Sequence, residues 1–237
     1  MSLPASDRTR AEWLRRIEAE YRSAAQTQEL TLWLMQIGAS PDLLSAGLRI
    51  VRDELRHADL CFRTYAEAGG EGGPTLARET LKLTRHEREP IEHDVVRVCV
   101  DAFCLGETVA VPLFKRLREG CTVPGPRRVL DRVLRDEVRH RDFGWGLLGW
   151  LLELPVAPGL REIVTRELPM YFARLRRVYG AAAPGLGSTA IDPSDRAWGL
   201  MPASEYSDIL QRAYENEWVR RFAGHGFDAR SAWIAAG

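Results

Sequence analysis

Apolar residues recur at three- and four-residue intervals over long stretches of the 237-residue chain, and two-residue alternation is scarce, so the pattern predicts an all-α protein. The first predicted helix runs from about Arg8 to Ile37, with Trp13, Ile17, Tyr21 and Ala24 on one face, and stops at Gly38-Ala39-Ser40-Pro41. Ser40 then fits an N-cap, with Pro41 at the first position of a second helix reaching about Ala68. The cluster Gly69-Gly70-Glu71-Gly72-Gly73-Pro74 ends that helix, and a short helix is expected over 75–87. A third long helix spans about Pro90 to Arg118; Pro112 inside it removes a donor and crowds the carbonyl of Thr108, which predicts a kink. A turn at Gly120 to Pro126 leads into a fourth long helix that ends near Leu154.

Four long helices joined as two hairpins complete a four-helix bundle, so 8–154 is read as one domain and 155–237 as a helical extension packing on it. The extension divides into a helix over 158–179, a Gly/Pro/Ala loop over 180–194 and a helix over 203–224.

Lysine plus arginine balances aspartate plus glutamate at 33 each, so no long-range field favours nucleic acid or an anionic membrane, and neither is expected as a partner. The best apolar window, 144–157, is short for a bilayer and is broken by Glu153 and Pro155. The first twenty residues carry charges throughout and fit no export signal. Cys61, Cys99, Cys104 and Cys121 show no CxxC spacing and sit in or beside apolar stretches, as reduced core thiols of a cytoplasmic protein do.

The chemistry lies in a repeat. Asp53-Glu54-Leu55-Arg56-His57 on the second helix returns as Asp136-Glu137-Val138-Arg139-His140 on the fourth. Composition alone predicts about half of one Glu-x-x-His match but only roughly 0.003 of the D-E-x-R-H pentad, so two pentads carry a signal that one Glu-x-x-His does not. Residues i and i+3 share a helix face, so Glu54 with His57, and Glu137 with His140, each offer an oxygen and an imidazole nitrogen to one ion. Carboxylate-dominated ligation suits iron or manganese better than structural zinc, which favours thiolates or more imidazoles. A charged helix face with i,i+3 and i,i+4 pairs is the bland account of a single pentad. Duplication on two long helices argues against it, while Arg56, Arg139, Asp59 and Asp142 read as surface charges.

Such a centre needs one further acid from each remaining helix. Glu107 interrupts an otherwise apolar run, and counting from the turn near Val123 puts it about level with Glu137. On the first helix, Glu20 and Glu29 flank the apolar stripe, and neither matches the height of Glu54 when counted from Ala39. The spacing of 34 from Glu20 to Glu54 resembles the 30 from Glu107 to Glu137 more than the 25 from Glu29 does, which favours Glu20 and leaves Glu29 as the alternative. His93 lies too far along its helix from Glu107 to share the cluster, and His86 and His225 read as surface or packing residues, as Trp33, Trp145 and Trp150 read as core.

With Glu20, both pentads and Glu107, the chain over about 15–150 resembles the ferritin-like diiron-carboxylate proteins. The resemblance implies a ferritin-like bundle with two iron ions, or a manganese-containing pair, held by Glu20, Glu54 and His57 on one side and Glu107, Glu137 and His140 on the other. It further implies that Glu54 and Glu137 bridge, that Asp136 holds His57 and that Asp53 holds His140. The motif order is similar to that of aldehyde-deformylating oxygenases and tRNA-hydroxylating members, without a substrate signature of either. The expectation is an O2-dependent oxidoreductase, monomeric or homodimeric, acting on a small organic molecule and drawing electrons from an external donor such as a reductase or ferredoxin. An iron-handling or peroxide-scavenging protein is the alternative, and a metal-free helical interaction module a third reading.

Overall fold

The structure, a computed structural model, describes residues 5–179 and 191–237, which are helical throughout apart from turns and loops, with no strand among the described residues. They fall into two compact units, the first comprising 5–84, Phe114–Asp136 and 191–201, the second Arg85–Leu113, 137–179 and Pro202–Gly237. No helix among the described residues is long and apolar enough to cross a membrane.

In the first unit, α1 (Asp7–Gln36) and α2 (Pro41–Glu67) form an antiparallel pair. Each begins where a serine hydroxyl accepts an otherwise unsatisfied amide, Ser6 from Thr9 at 3.0 Å and Ser40 from Leu43 at 3.5 Å. The reversal between them uses Gly38 at φ 75°, a left-handed conformation that a side chain disfavours. Register follows from contacts along the pair: Thr31 packs on Gly47, Glu20 meets His57, and Arg10 reaches the carbonyl of Ala68. Trp13 anchors the other end, fully buried and donating to the carbonyl of Trp198 at 3.1 Å, while Arg16 lies over its ring and donates to Gly199. Trp198 follows the short helix α7 (Pro193–Ala197), and both Thr122 and Val123 donate to Ala197 at 3.0 Å. Part of the C-terminal third therefore belongs to the core of the first unit.

The second unit contains α3 (Ile91–Val98), a π-helical segment (Cys99–Glu107) and the start of α4 (Thr108–Gly120), which follow one another without interruption. It also holds the second half of α5 (Pro124–Leu151), with α6 (Ala157–Tyr179), α8 (Ala203–Ala213), a second π segment (Tyr214–Trp218), α9 (Val219–Gly224) and α10 (Ala229–Ala235). Gly144 on α5 lets the π segment approach: a Cβ there would collide with that of Phe103 and lie 3.0 Å from its carbonyl carbon. The thiols of Cys99 and Cys104 donate to the Gly144 carbonyl at 3.3 and 3.5 Å. Farther out, Phe172 packs against Tyr214, Trp218, Phe222 and Trp233.

Several elements depart from the sequence-based expectation. The short helix over 75–87 is only a 3-10 turn, Arg78–Leu81, because this charged stretch offers no apolar stripe to bury. It is held by tertiary bonds: Gln26 donates to Thr80, and Leu83 donates its amide to Glu29. Residues 85–90 are pinned instead by buried Asp94, which accepts from Arg85, Arg97 and the amide of His86 at 2.6, 2.9 and 2.8 Å. Burial alone would raise the Asp94 carboxyl; these bonds outweigh it and hold the group below the ordinary range. The irregularity of the third long helix lies over Cys99–Glu107, upstream of Pro112. Of the loop expected over 180–194, residues 180–190 lie outside the described ones, while 193 and 194 already belong to α7. All four cysteines are free and buried; Trp33 and Trp145 are core residues, and Trp150 is half-buried.

The close approach at Gly144 predicts that Gly144→Val destabilises the fold by about 1–3 kcal/mol, as overpacking against fixed backbone does. Urea denaturation followed by far-UV circular dichroism measures this; an unchanged midpoint would contradict the packing of α5 on the π segment.

Candidate metal centre

The first-unit cluster grows out of the α1–α2 register. Glu54 and His57 stand one turn apart on α2, and Glu20 faces His57 from α1, so a carboxylate oxygen of each acid and a ring nitrogen of His57 lie within 4.8 Å of one another. All three side chains are buried, His57 completely. Its Nε2 lies 3.0 Å from the Asp136 carboxylate, and its Nδ1 faces Glu20 at 3.5 Å and Glu54 at 3.6 Å. With the Nε2 proton donated to Asp136, Nδ1 faces two carboxyl groups, which favour a proton on it in the metal-free chain; a cation in that proton's place would meet the Nδ1 lone pair. Asp136 is in turn fixed by Arg132, whose Nε donates at 2.5 Å and whose other arm reaches buried Asp53 at 3.4 Å.

Electrostatics records the crowding. The Glu20 carboxyl is pushed up to about 8, first by burial and next by the charge of Glu54 beside it. Burial opposes an imidazolium at His57, but its bonds to Asp136, Glu20 and Glu54 prevail and raise its pKa. Protons thus do in the metal-free chain what a divalent cation does better, since one ion neutralises both acids and accepts the lone pair. The nearby thiol of Cys61 is pushed up by burial and stays protonated, which leaves a donor set of carboxylate oxygens and imidazole nitrogen. That set fits iron or manganese.

The second-unit cluster repeats the composition. Glu137 and His140 stand one turn apart on α5, with His140 Nδ1 3.5 Å from the Glu137 carboxylate. Glu107, half-buried at the end of the π segment, completes a set whose ligand atoms lie within 4.8 Å of one another. π turns favour functional positions because their additional residue re-aims a side chain relative to an α-helix. Behind this cluster, Trp145 donates to the hydroxyl of Thr108 at 3.0 Å.

The structure therefore brings Glu20, not Glu29, to Glu54 and His57; the Glu29 carboxylate accepts from the Leu83 amide at 2.7 Å. The height estimate failed to separate them because Glu20 lies opposite His57, one turn beyond Glu54, against which it was measured. Of the histidines read as uninvolved, His86 pairs with Asp94, His93 with Glu89, and His225 stacks on Trp145. Tyr179 escaped the sequence reading: burial pushes its phenol up most, with Tyr206, Glu107 and Glu137 adding to the effect. At the end of α6 its place in sequence gives no hint of this.

The two raised groups of the first cluster have one sign. Glu20 binds a proton more tightly folded than unfolded, so metal-free stability falls as pH rises from about 4.5 through about 8. His57 adds to the loss above its unfolded value of 6.5. With chelator present, the urea midpoint is expected to fall between pH 5.5 and 8.5, and Glu20→Gln to flatten that fall. An equal slope in the variant would contradict the placement of Glu20.

No protein-family model matches the chain, and neither any curated protein nor any solved structure matches it significantly.

Proposed function

We propose that the two clusters are the halves of a ferritin-like, non-heme diiron centre and that the protein is an O2-dependent oxidoreductase acting on a small organic molecule. The observation that carries the reading is the pair of Glu/Glu/His sets, buried except for half-buried Glu107 and built around a repeated pentad, each with ligand atoms drawn within 4.8 Å. Their placement along the chain supports a joint role: Asp136, bonded to His57, and Glu137, a member of the second set, are consecutive residues of α5, with Cα atoms about 3.8 Å apart.

Glu20, Glu54 and His57 would hold one ion and Glu107, Glu137 and His140 the other, with manganese as an alternative metal. What bound ferrous iron supplies there is the two-electron reduction of dioxygen, with an external donor such as a reductase or ferredoxin restoring the reduced state. The chain's own contribution is orientation. Asp136 fixes the His57 ring and keeps its Nδ1 aimed inward, and Arg132 holds Asp136 in place. Val109, Phe103 and Phe143, on the same helical stretches as the second set, are buried apolar side chains, and Phe103 packs edge-on against Phe143. Four free thiols suit a reducing compartment, which is how a cytoplasmic location enters the proposal.

Anaerobic loading of the chelator-treated protein with ferrous iron tests this. Two irons per chain are expected, followed on admission of oxygen by its consumption and a transient visible absorption. Glu54→Ala, His57→Ala and Glu137→Ala are each expected to lose iron while retaining the helical circular dichroism spectrum. Two irons per chain in all three variants would overturn the assignment. Repeated turnover of iron indifferent to added organic substrates would replace the oxidoreductase with a ferroxidase.

A further inference from the structure

The groove between α2 and the first half of α5 is walled by four arginines, Arg56 and Arg63 from α2 and Arg128 and Arg132 from α5, around a floor of Leu60, Thr64 and Val129. Its volume is ≈ 380 Å³, within the range of small-molecule sites, which begins at about 300 Å³. Against four guanidinium groups the lining contains one acid, Glu67, in a chain whose formal net charge is zero. The arginines are not equally engaged. Arg132 is committed to Asp136 and Asp53, and Arg63 to exposed Asp59 at 2.9 Å. Arg56 and Arg128 are exposed and make no ion pair among the described residues.

Two further features favour an anion. Gly125 lies in the first turn of α5, so the groove's end receives the positive end of a 28-residue helix. The Glu67 carboxylate lies against that end, where a Cβ on Gly125 would run into it. Glu67 thus occupies one edge of a basic groove whose remaining width is open to solvent. Planar guanidinium forks opposed across a gap match the oxygens of a phosphate, which they bind by paired charge-assisted hydrogen bonds.

We propose that this groove is a binding site for a phosphorylated ligand, with Arg56 and Arg128 as its principal grips and Glu67 as a built-in competitor for the α5 end. The groove's volume of ≈ 380 Å³ is on the scale of a small phosphorylated molecule, which favours such a ligand over a nucleic acid strand tracking along a surface. Its existence is independent of metal loading, so it stands or falls apart from the diiron reading.

A 31P NMR titration with inorganic pyrophosphate, run on metal-free and on iron-loaded protein, is the test. Saturable binding that weakens with salt is expected in both. The double variant Arg56→Ala/Arg128→Ala should weaken it by about tenfold or more, because two charge-assisted contacts are lost. Glu67→Gln should strengthen it by about threefold, because the repelling charge is removed. Both variants alter exposed side chains and are expected to keep the wild-type thermal midpoint. Co-sedimentation with anionic lipid vesicles, reversed by pyrophosphate, would assign the phosphate to a lipid headgroup; no sedimentation would assign it to a soluble ligand. Absent or non-saturating pyrophosphate binding, equal affinity in the double variant, or binding of an RNA oligonucleotide without pyrophosphate would each overturn the proposal.

Discussion

Burying two acids against a histidine ring is the constraint from which the rest of the first unit follows. A single uncompensated buried ion costs several kcal/mol, and Glu20, Glu54 and the inward nitrogen of His57 bring three titratable groups to one point. The fold has to supply more than a hydrophobic core to hold that arrangement. It supplies a long antiparallel pair with a fixed register, anchored at one end by Gly47 under Thr31 and at the other by Trp13 under Trp198. Slippage of either helix by one residue would rotate Glu20 about 100° away from His57. Long helices and tight anchors are what a site made from separate elements requires.

The amino-acid pattern disclosed those parts of the molecule whose cause is local. Helix starts were legible because Ser40 and Pro41 announce them chemically, and the clustered acids and histidines of α2 and α5 because Glu-x-x-His is a spacing within one helix. Glu107 was legible for a related reason, as an acid in an apolar run has few uses. Glu20 was harder, since its assignment depends on how two helices mesh, and a turn of ambiguity in height separates it from Glu29. The deciding fact is a bond the sequence does not advertise, from the amide of Leu83 to Glu29. The same limit explains the failed helix over 75–87, where Asp94 and Glu29 capture the chain from a distance, and the return of Trp198 to Trp13 across 185 positions.

Composition averages over the molecule. A formal charge of zero argues against attraction to phosphate when averaged over the molecule, yet Arg56, Arg63, Arg128 and Arg132 line a single groove. Asp53 and Asp136, which balance some of that charge in the count, are buried, with 5% and 0% of their surface exposed. They present no negative surface to an approaching ligand. Net charge is a sum over residues, whereas a ligand meets only the groups that face solvent within about a Debye length, ~8–10 Å at physiological ionic strength.

The dipeptide Asp136-Glu137 shows why the pentad has the form it does. Consecutive residues on a helix point about 100° apart, so neighbours cannot serve the same point. Here the first turns toward α2 and holds a histidine ring, while the second takes its place with Glu107 and His140. One acid holds a ring and the next joins a cluster. Exchanging their order would leave composition, charge and burial unchanged, yet it would separate the carboxylate from His57 and break the i,i+3 pairing with His140. The pentad is therefore a statement about direction, and the helix converts its order along the chain into two duties in space.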